Sequence, residues 1–410
     1  MNWDYLNISR RTMNLIKTIK YLILLITMTV QLSFATTYYV DAINGNDSNN
    51  GLSPSSAWQS INKVNNFSFA SGDVISFKRG EIFTGYTLTP PISNLTFNAY
   101  GVGNKPVING QNNLITCFRG DNRDHTTVNS IVFYNGTQNC FGATNANYLT
   151  IDSCEFDGNF HVNQTAFITS FYAHISYSIF KNAASSSYPY PNGLYLGGGG
   201  YQIVEYCQFL NNADNGLNIN INPTSRVDHP IIRYNWFEGN GANYQDQATD
   251  SLEFYYNVIV DNPNVAYAAG MIFSYEAAYS QYAPRNAKVY NNTFIMNDSL
   301  TAHLAIFVYN NALIDNLTFK NNIFYFTNMN PPSGNFVYQQ PGSGTLYFDN
   351  NLYYRYGGNQ NGFASIKGTN YNSFSAWQAA GYDTHGKWAY PLLSIIIIQA
   401  LIFGQYQILN

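Results

Sequence analysis

Eight segments of the chain share one pattern of apolar and polar positions: Ile151–Asn159, Ile175–Ala183, Val204–Asn212, Ile232–Asn240, Phe254–Asn262, Val289–Asn297, Phe319–Asn328 and Phe348–Gly357. Each runs apolar, polar, a polar pair, then an aromatic or aliphatic centre, at Phe156, Phe180, Phe209, Phe237, Ile259, Phe294, Phe324 and Tyr353. Spacing between centres varies from 22 to 35 residues. Alternation with period two marks strands with one buried face. A loose repeat of this length fits a solenoid of short strands whose surplus residues spill into loops. Helical repeats are excluded, because no segment shows a 3.6-residue apolar period.

The columns of the repeat predict roles for its residues. Two positions before the centre stand Cys154, Ser178, Cys207, Asn235, Asn257, Asn292, Asn322 and Asn351. Asn tolerates the left-handed bend between strands, and stacked Asn side chains can hydrogen-bond from coil to coil. A further strand precedes each unit, as in Asn192–Leu196, Asn215–Ile219 and Ala269–Phe273. The expected fold is therefore all-β: a right-handed parallel β-helix of three strands per coil. Cys154 and Cys207 lie two coils apart, near 10 Å at about 4.8 Å per coil, too far for a disulfide. Cys117 and Cys140, 23 residues apart, fall on adjacent coils within bonding range.

Ahead of the repeat, Thr37–Gly85 holds a short strand, a Gly-Asn-Asp-rich loop, an amphipathic segment at about Trp58–Asn66, then Gly72-Asp73 and Phe77-Lys78-Arg79-Gly80. This segment resembles the entry of secreted right-handed parallel β-helix proteins of the pectate-lyase-like superfamily. The resemblance implies an N-terminal capping helix and an architecture covering about 37–390. It implies no one activity, since that superfamily includes lyases, hydrolases, epimerases and proteins without known activity. The expected organisation is a signal peptide over 1–35, an entry strand and cap over 36–105, the β-helix over 106–390 and an atypical apolar tail over 391–410. That tail reads either as a cap strand or as a frameshifted or truncated end.

Composition narrows the partners. The 410 residues include only 23 acidic and 19 basic side chains, against 35 Tyr, 28 Phe and 5 Trp, where globular proteins average roughly one charge in four residues. So aromatic and charge-poor a chain is not disordered. A net charge of −4 provides no field for a nucleic-acid backbone. Lys17 and Lys20 precede the apolar run Tyr21–Leu32, and Ser33 and Ala35 suit a cleavage site after Ala35. That run is too short for a stable membrane span. A secreted, cell-surface or periplasmic monomer is expected.

Few charges make the remaining ones informative. The stretch Tyr244–Glu253 puts Asp246 and Asp250 where neighbouring coils have apolar strands, and local rule-breaking marks functional sites. Nearby coils offer Asp214, Tyr195, Asn218, Arg226, His229, Glu276 and Arg285. Two chemistries fit. β-Elimination on a uronate-containing polysaccharide needs a cation such as Ca²⁺, with Asp214, Asn218, Asp246 and Asp250 as ligands, and a base such as Arg226 or Arg285. Hydrolysis needs two carboxylates about 5 to 9.5 Å apart, drawn from Asp246, Asp250, Glu276 and Asp214. Tyr195, Asn218 and His229 are the expected substrate contacts. A non-catalytic, adhesin-like carbohydrate-binding solenoid is the third reading.

Overall fold

The computed structural model describes residues 12–20, 35–220, 226–262, 269–275, 281–297, 303–327 and 335–391. Its strands form three long sheets of 12, 12 and 13 strands. Pairing between strands is parallel in register except at one closing hairpin, Ala364–Ile366 with Thr369–Tyr371. The architecture is the right-handed parallel β-helix that the repeat predicts.

Each repeat column fills one inward line of a sheet. In the first sheet Ile151, Ile175, Val204, Ile232, Phe254, Val289, Phe319 and Phe348 are paired in succession. The centres Phe156, Phe180, Phe209 and Phe237 form the matching line of the second sheet. Their rings stack at centroid separations of 4.7, 5.2 and 4.6 Å. Leu194, Leu217, Tyr244, Met271, Ile306 and Val337 complete the core from the third sheet, all fully buried.

Asn residues form the expected ladder. The side-chain oxygen of Asn257 accepts from the backbone and side-chain nitrogens of Asn235 at 2.9 and 3.0 Å. The same two bonds join Asn257 to Asn292, Asn292 to Asn322 and Asn322 to Asn351. Asp383 ends the ladder, its Oδ2 accepting from Asn351 Nδ2 and the Tyr353 hydroxyl. Left-handed backbone occurs one position earlier than expected, at Ser153, Tyr177, Tyr206, Tyr234, Tyr256, Asn291, Asn321 and Asn350, with φ of 49 to 58°. Turning at that residue leaves the following Asn side chain pointing inward, where each oxygen can serve the next coil.

The ends differ in detail from the sequence reading. The capping helix is shorter, Ile61–Asn65, because the Ser60 side chain accepts from Lys63 N and fixes its start. Trp58 instead bridges Val40 and is fully buried, stacked on Tyr38 at 4.9 Å. Thr37–Val40, Val74–Lys78 and Thr96–Tyr100 are the first three strands of the first sheet. Lys387–Trp388 adds the last strand of the second sheet, and the tail 392–410 lies outside the described residues. Among those described, no helix is long and apolar enough to cross a membrane.

All four cysteines are buried free thiols. The strands holding Cys117 and Cys140 do pair on adjacent coils, but each thiol donates to a backbone carbonyl, of Tyr134 at 3.2 Å and Asp157 at 3.1 Å.

Candidate functional site

The third sheet turns one column of side chains outward: Phe167, Tyr195, Asn218, Gln245, Ile272 and Phe307, paired in succession. Its middle three members floor a groove of about 360 Å³. A second outward column adds Asn220 and, just past the strands, Gln247 and Ser274. Tyr188 and Tyr190 from the loop before Asn192–Gly200 contribute to one wall, and Tyr275 and Tyr309 from later coils complete the lining. The Tyr195 ring stacks on Phe167 at 4.6 Å. Beside it, Gly197 keeps the floor open: a Cβ there would lie 2.9 Å from the Tyr195 ring.

Asp214 lines this groove from the turn before Asn215–Asn220. It is half-buried, and burial pushes its carboxyl up to about 7. The buried Asn215 amide lies 2.7 Å from Asp214 Oδ2 and also reaches Asn192 Oδ1 and Gln245 Oε1, at 2.8 and 3.0 Å. Gln245 in turn donates to Ser274 at 2.9 Å. An amide relay thus holds the carboxyl in place without supplying positive charge. Burial, then Asp214 and Tyr190, raise the Tyr309 phenol. Two acceptors on groove-lining residues, Asn218 Oδ1 and Gln247 Oε1, are shielded from solvent and have no hydrogen-bond partner among the described residues, an arrangement that costs on the order of 1 to 3 kcal/mol each.

Three of the sequence-predicted residues, Asp214, Tyr195 and Asn218, therefore meet in one place. The other described ones do not join them. Asp246 takes an inward position between Ile219 and Phe273 and is fully buried. Its carboxylate closes the following turn, accepting from Ala248 N, Thr249 N and the Thr249 hydroxyl, so it cannot be the solvent-facing group expected. Burial nonetheless lifts its pKa to about 6, against these hydrogen bonds.

Asp250 lies on the outer edge toward the next sheet, beside Asp228 and Arg285. Arg226 and Arg285 both bind its Oδ2, at 3.1 and 2.6 Å, and Asn286 binds Oδ1 at 2.8 Å. Burial works against ionisation there, but Asn286 and Arg285 more than offset it, and the pKa falls below the usual carboxylate value. The two arginines expected as bases are spent on this pair. His229 is exposed at the neighbouring corner, stacked on Tyr201 at 5.2 Å. Glu276 lies outside the described residues. Among those described, no three His, Cys, Asp or Glu side chains gather to hold a metal ion, so the expected Ca²⁺ ligands Asp214, Asp246 and Asp250 do not form a cluster.

Sequence reasoning missed Gln245, Gln247 and Tyr309. Gln245 and Gln247 flank Asp246 with the outward parity of the strand, and that alternation is the signal that places them in the groove.

Residues 113–280 match the family described as "Right handed beta helix region". No curated protein matches the chain. Among solved structures, a GH136 lacto-N-biosidase from Eubacterium ramulus is similar at a TM-score of 0.54 and 11% identity, over 93% of this chain and 71% of that one. An alginate lyase from Paenibacillus sp. str. FPU-7 is similar at a TM-score of 0.50 and 15% identity, over 70% of this chain and 96% of that one. At such identities these likenesses establish the fold alone. The fold is a right-handed parallel β-helix.

Proposed function

We propose that the protein is a carbohydrate-active β-helix that binds a glycan along the third sheet and cleaves a glycosidic bond there, with Asp214 as general acid. The observation that carries this reading is a carboxyl raised to about 7 in a groove of tyrosines and amides. Tyrosine rings suit the apolar faces of sugars, and amides suit their hydroxyls. A carboxyl protonated near neutrality can give its proton to the glycosidic oxygen as the carbon–oxygen bond breaks, with water adding to the anomeric carbon and passing its own proton to the solvent. The solved structures that share the fold include one named as a glycosidase and one named as a lyase. Protonation by Asp214 favours hydrolysis over β-elimination here, because both arginines expected as bases are tied to Asp250. Export through the N-terminal segment ending at Ala35 would place the protein where such polymers occur, and N-terminal sequencing of secreted material would check the cleavage point.

The test is a screen of oligosaccharides for new reducing ends, using the native chain and Asp214→Asn. Asp214→Asn should keep glycan binding and lose at least about a hundredfold in turnover. Equal turnover in the two proteins would remove Asp214 from the chemistry.

A further inference from the structure

We propose that the groove takes an uncharged glycan, recognised by hydroxyl-to-amide hydrogen bonds and ring contacts with tyrosine, and rejects polyuronates. This deepens the carbohydrate reading above and rests on it. Three independent observations converge on it.

The first is the supply of positive charge. All groove-lining residues fall between Tyr188 and Tyr309, and from Asn182 to Tyr354 the chain has only five Lys and Arg residues: Arg226, Arg233, Arg285, Lys288 and Lys320. Each is held by an acid elsewhere. Arg226 and Arg285 bind Asp250 at 3.1 and 2.6 Å, Arg233 binds Glu205 at 2.7 Å, Lys288 binds Glu253 at 3.3 Å, and Lys320 binds Asp349 at 3.5 Å. Glu205 and Asp349 stand on the outward side of the first sheet, away from the groove. A polymer with one carboxylate per sugar would bring a row of anions into a cleft with no cation to meet them, and desolvating unpaired charge is expensive.

The second is the polarity of the lining. Asn218, Asn220, Gln245, Gln247 and Ser274 can both donate and accept, as sugar hydroxyls do. A uronate carboxylate only accepts, so it would leave the accepting half of these groups unmet and would face the Asp214 carboxyl.

The third is the single charged side chain among the described lining residues. Asp214 sits in the lining with an amide as its side-chain partner, so an anionic ligand would be opposed more strongly as Asp214 ionises. Uronate binding should therefore weaken on going from pH 6 to pH 8, while binding of a neutral glycan should change little.

The experiment is calorimetric titration of the full chain with matched-length neutral oligosaccharides (cello-, xylo-, manno- and chito-series) and with oligogalacturonate and oligoalginate, at pH 6 and 8, with and without Ca²⁺. At least one neutral series should bind, with less than twofold change in affinity between 50 and 500 mM salt, because no ion pairs form. Every uronate series should bind at least tenfold more weakly at pH 8. Asp214→Asn should abolish the pH dependence of any residual uronate binding. Preference for a uronate series at pH 8, with or without Ca²⁺, overturns this inference but leaves a carbohydrate groove in place. Binding of no series in either class overturns the carbohydrate reading itself.

Discussion

Asp214 and Asp250 stand on the same broad side of the β-helix and meet opposite environments. Asp250 is clasped by Arg226, Arg285 and Asn286, and its pKa is lowered. Asp214 is clasped by a neutral amide, and its pKa rises to about 7. In so charge-poor a chain, the two arginines could have gone to either acid. Placing both at the outer edge leaves the groove with a carboxyl that can exchange a proton near neutral pH. The difference separates a structural anion from a reactive acid, a distinction that residue type alone does not make.

The largest expected effect breaks the comparison at its reactive end. Asp214→Asn should lower turnover by a factor of about 10² or more, read as initial rates on whichever glycan the wild type cleaves, without unfolding the chain. Next comes the pH dependence of stability. A carboxyl with a raised folded pKa holds its proton more tightly when folded, so its contribution is full below the unfolded value near 3.9 and is lost as pH rises through about 7. Asp250, with a lowered pKa, contributes stability above the unfolded value that is lost as pH falls through its folded pKa. Urea unfolding at pH 5 and 8 should show Asp214→Asn removing about 2 kcal/mol of the decline seen in the wild type, after allowance for partial solvent screening. No change in that slope would mean that Asp214 titrates normally.

Asp250→Ala should act in the other direction. It strands Arg226, whose Nε is already buried without a partner, and should cost roughly 1 to 3 kcal/mol by thermal or urea unfolding while leaving turnover within about threefold. A fall in turnover comparable to that of Asp214→Asn would show that the two acids act together. The smallest effect is expected for Tyr195→Ala, which removes one stacking face from the groove floor. It should weaken glycan binding by about 1 kcal/mol, several-fold in Kd, with little effect on folding because Tyr195 faces outward.

Much of this molecule was legible in the repeat. The Phe, Ile and Val columns identified both the core and the pairing register, because stacking like on like is what makes a parallel coil repeat at all. The Asn ladder was legible for the same reason. The site was only partly so. Asp214, Tyr195 and Asn218 were within reach of sequence reasoning, because all three belong to the outward side of one sheet or its preceding turn. Asp246 and Asp250 part at a turn: a spacing of four would keep them on one face of a continuous strand, but Asp246 closes a bend over Ala248 and Thr249 that carries Asp250 to the corner. Which arginines would be spent, and on which acid, depended on contacts between coils 24 and 35 residues apart, beyond what any local pattern encodes.

The ladder has one more consequence, for the order in which the protein comes apart. From Asn235 to Asn351, consecutive coils are tied by paired bonds to one shared oxygen, whereas at Cys154 and Cys207 a thiol stands in the ladder position: the backbone nitrogen makes one bond to the next coil, and the thiol reaches back only weakly, to Val128 O at 3.5 Å and Ile175 O at 3.7 Å. Coupling along this column is therefore weaker on the N-terminal side, although the step from the Cys207 coil to the Asn235 coil is also tied by a second pair of bonds, from Asn212 N and Nδ2 to Asn240 Oδ1; in a linear array weak coupling is where cooperativity breaks. The change from Cys to Asn, between Cys207 and Asn235, passes beneath the floor of the groove, between the coils that present Asn218 and Gln245. Hydrogen exchange followed by mass spectrometry should find the coils around Asn257 to Asn351 opening as one late block and those around Cys154 to Cys207 opening earlier. A bound glycan spanning the seam should merge the two.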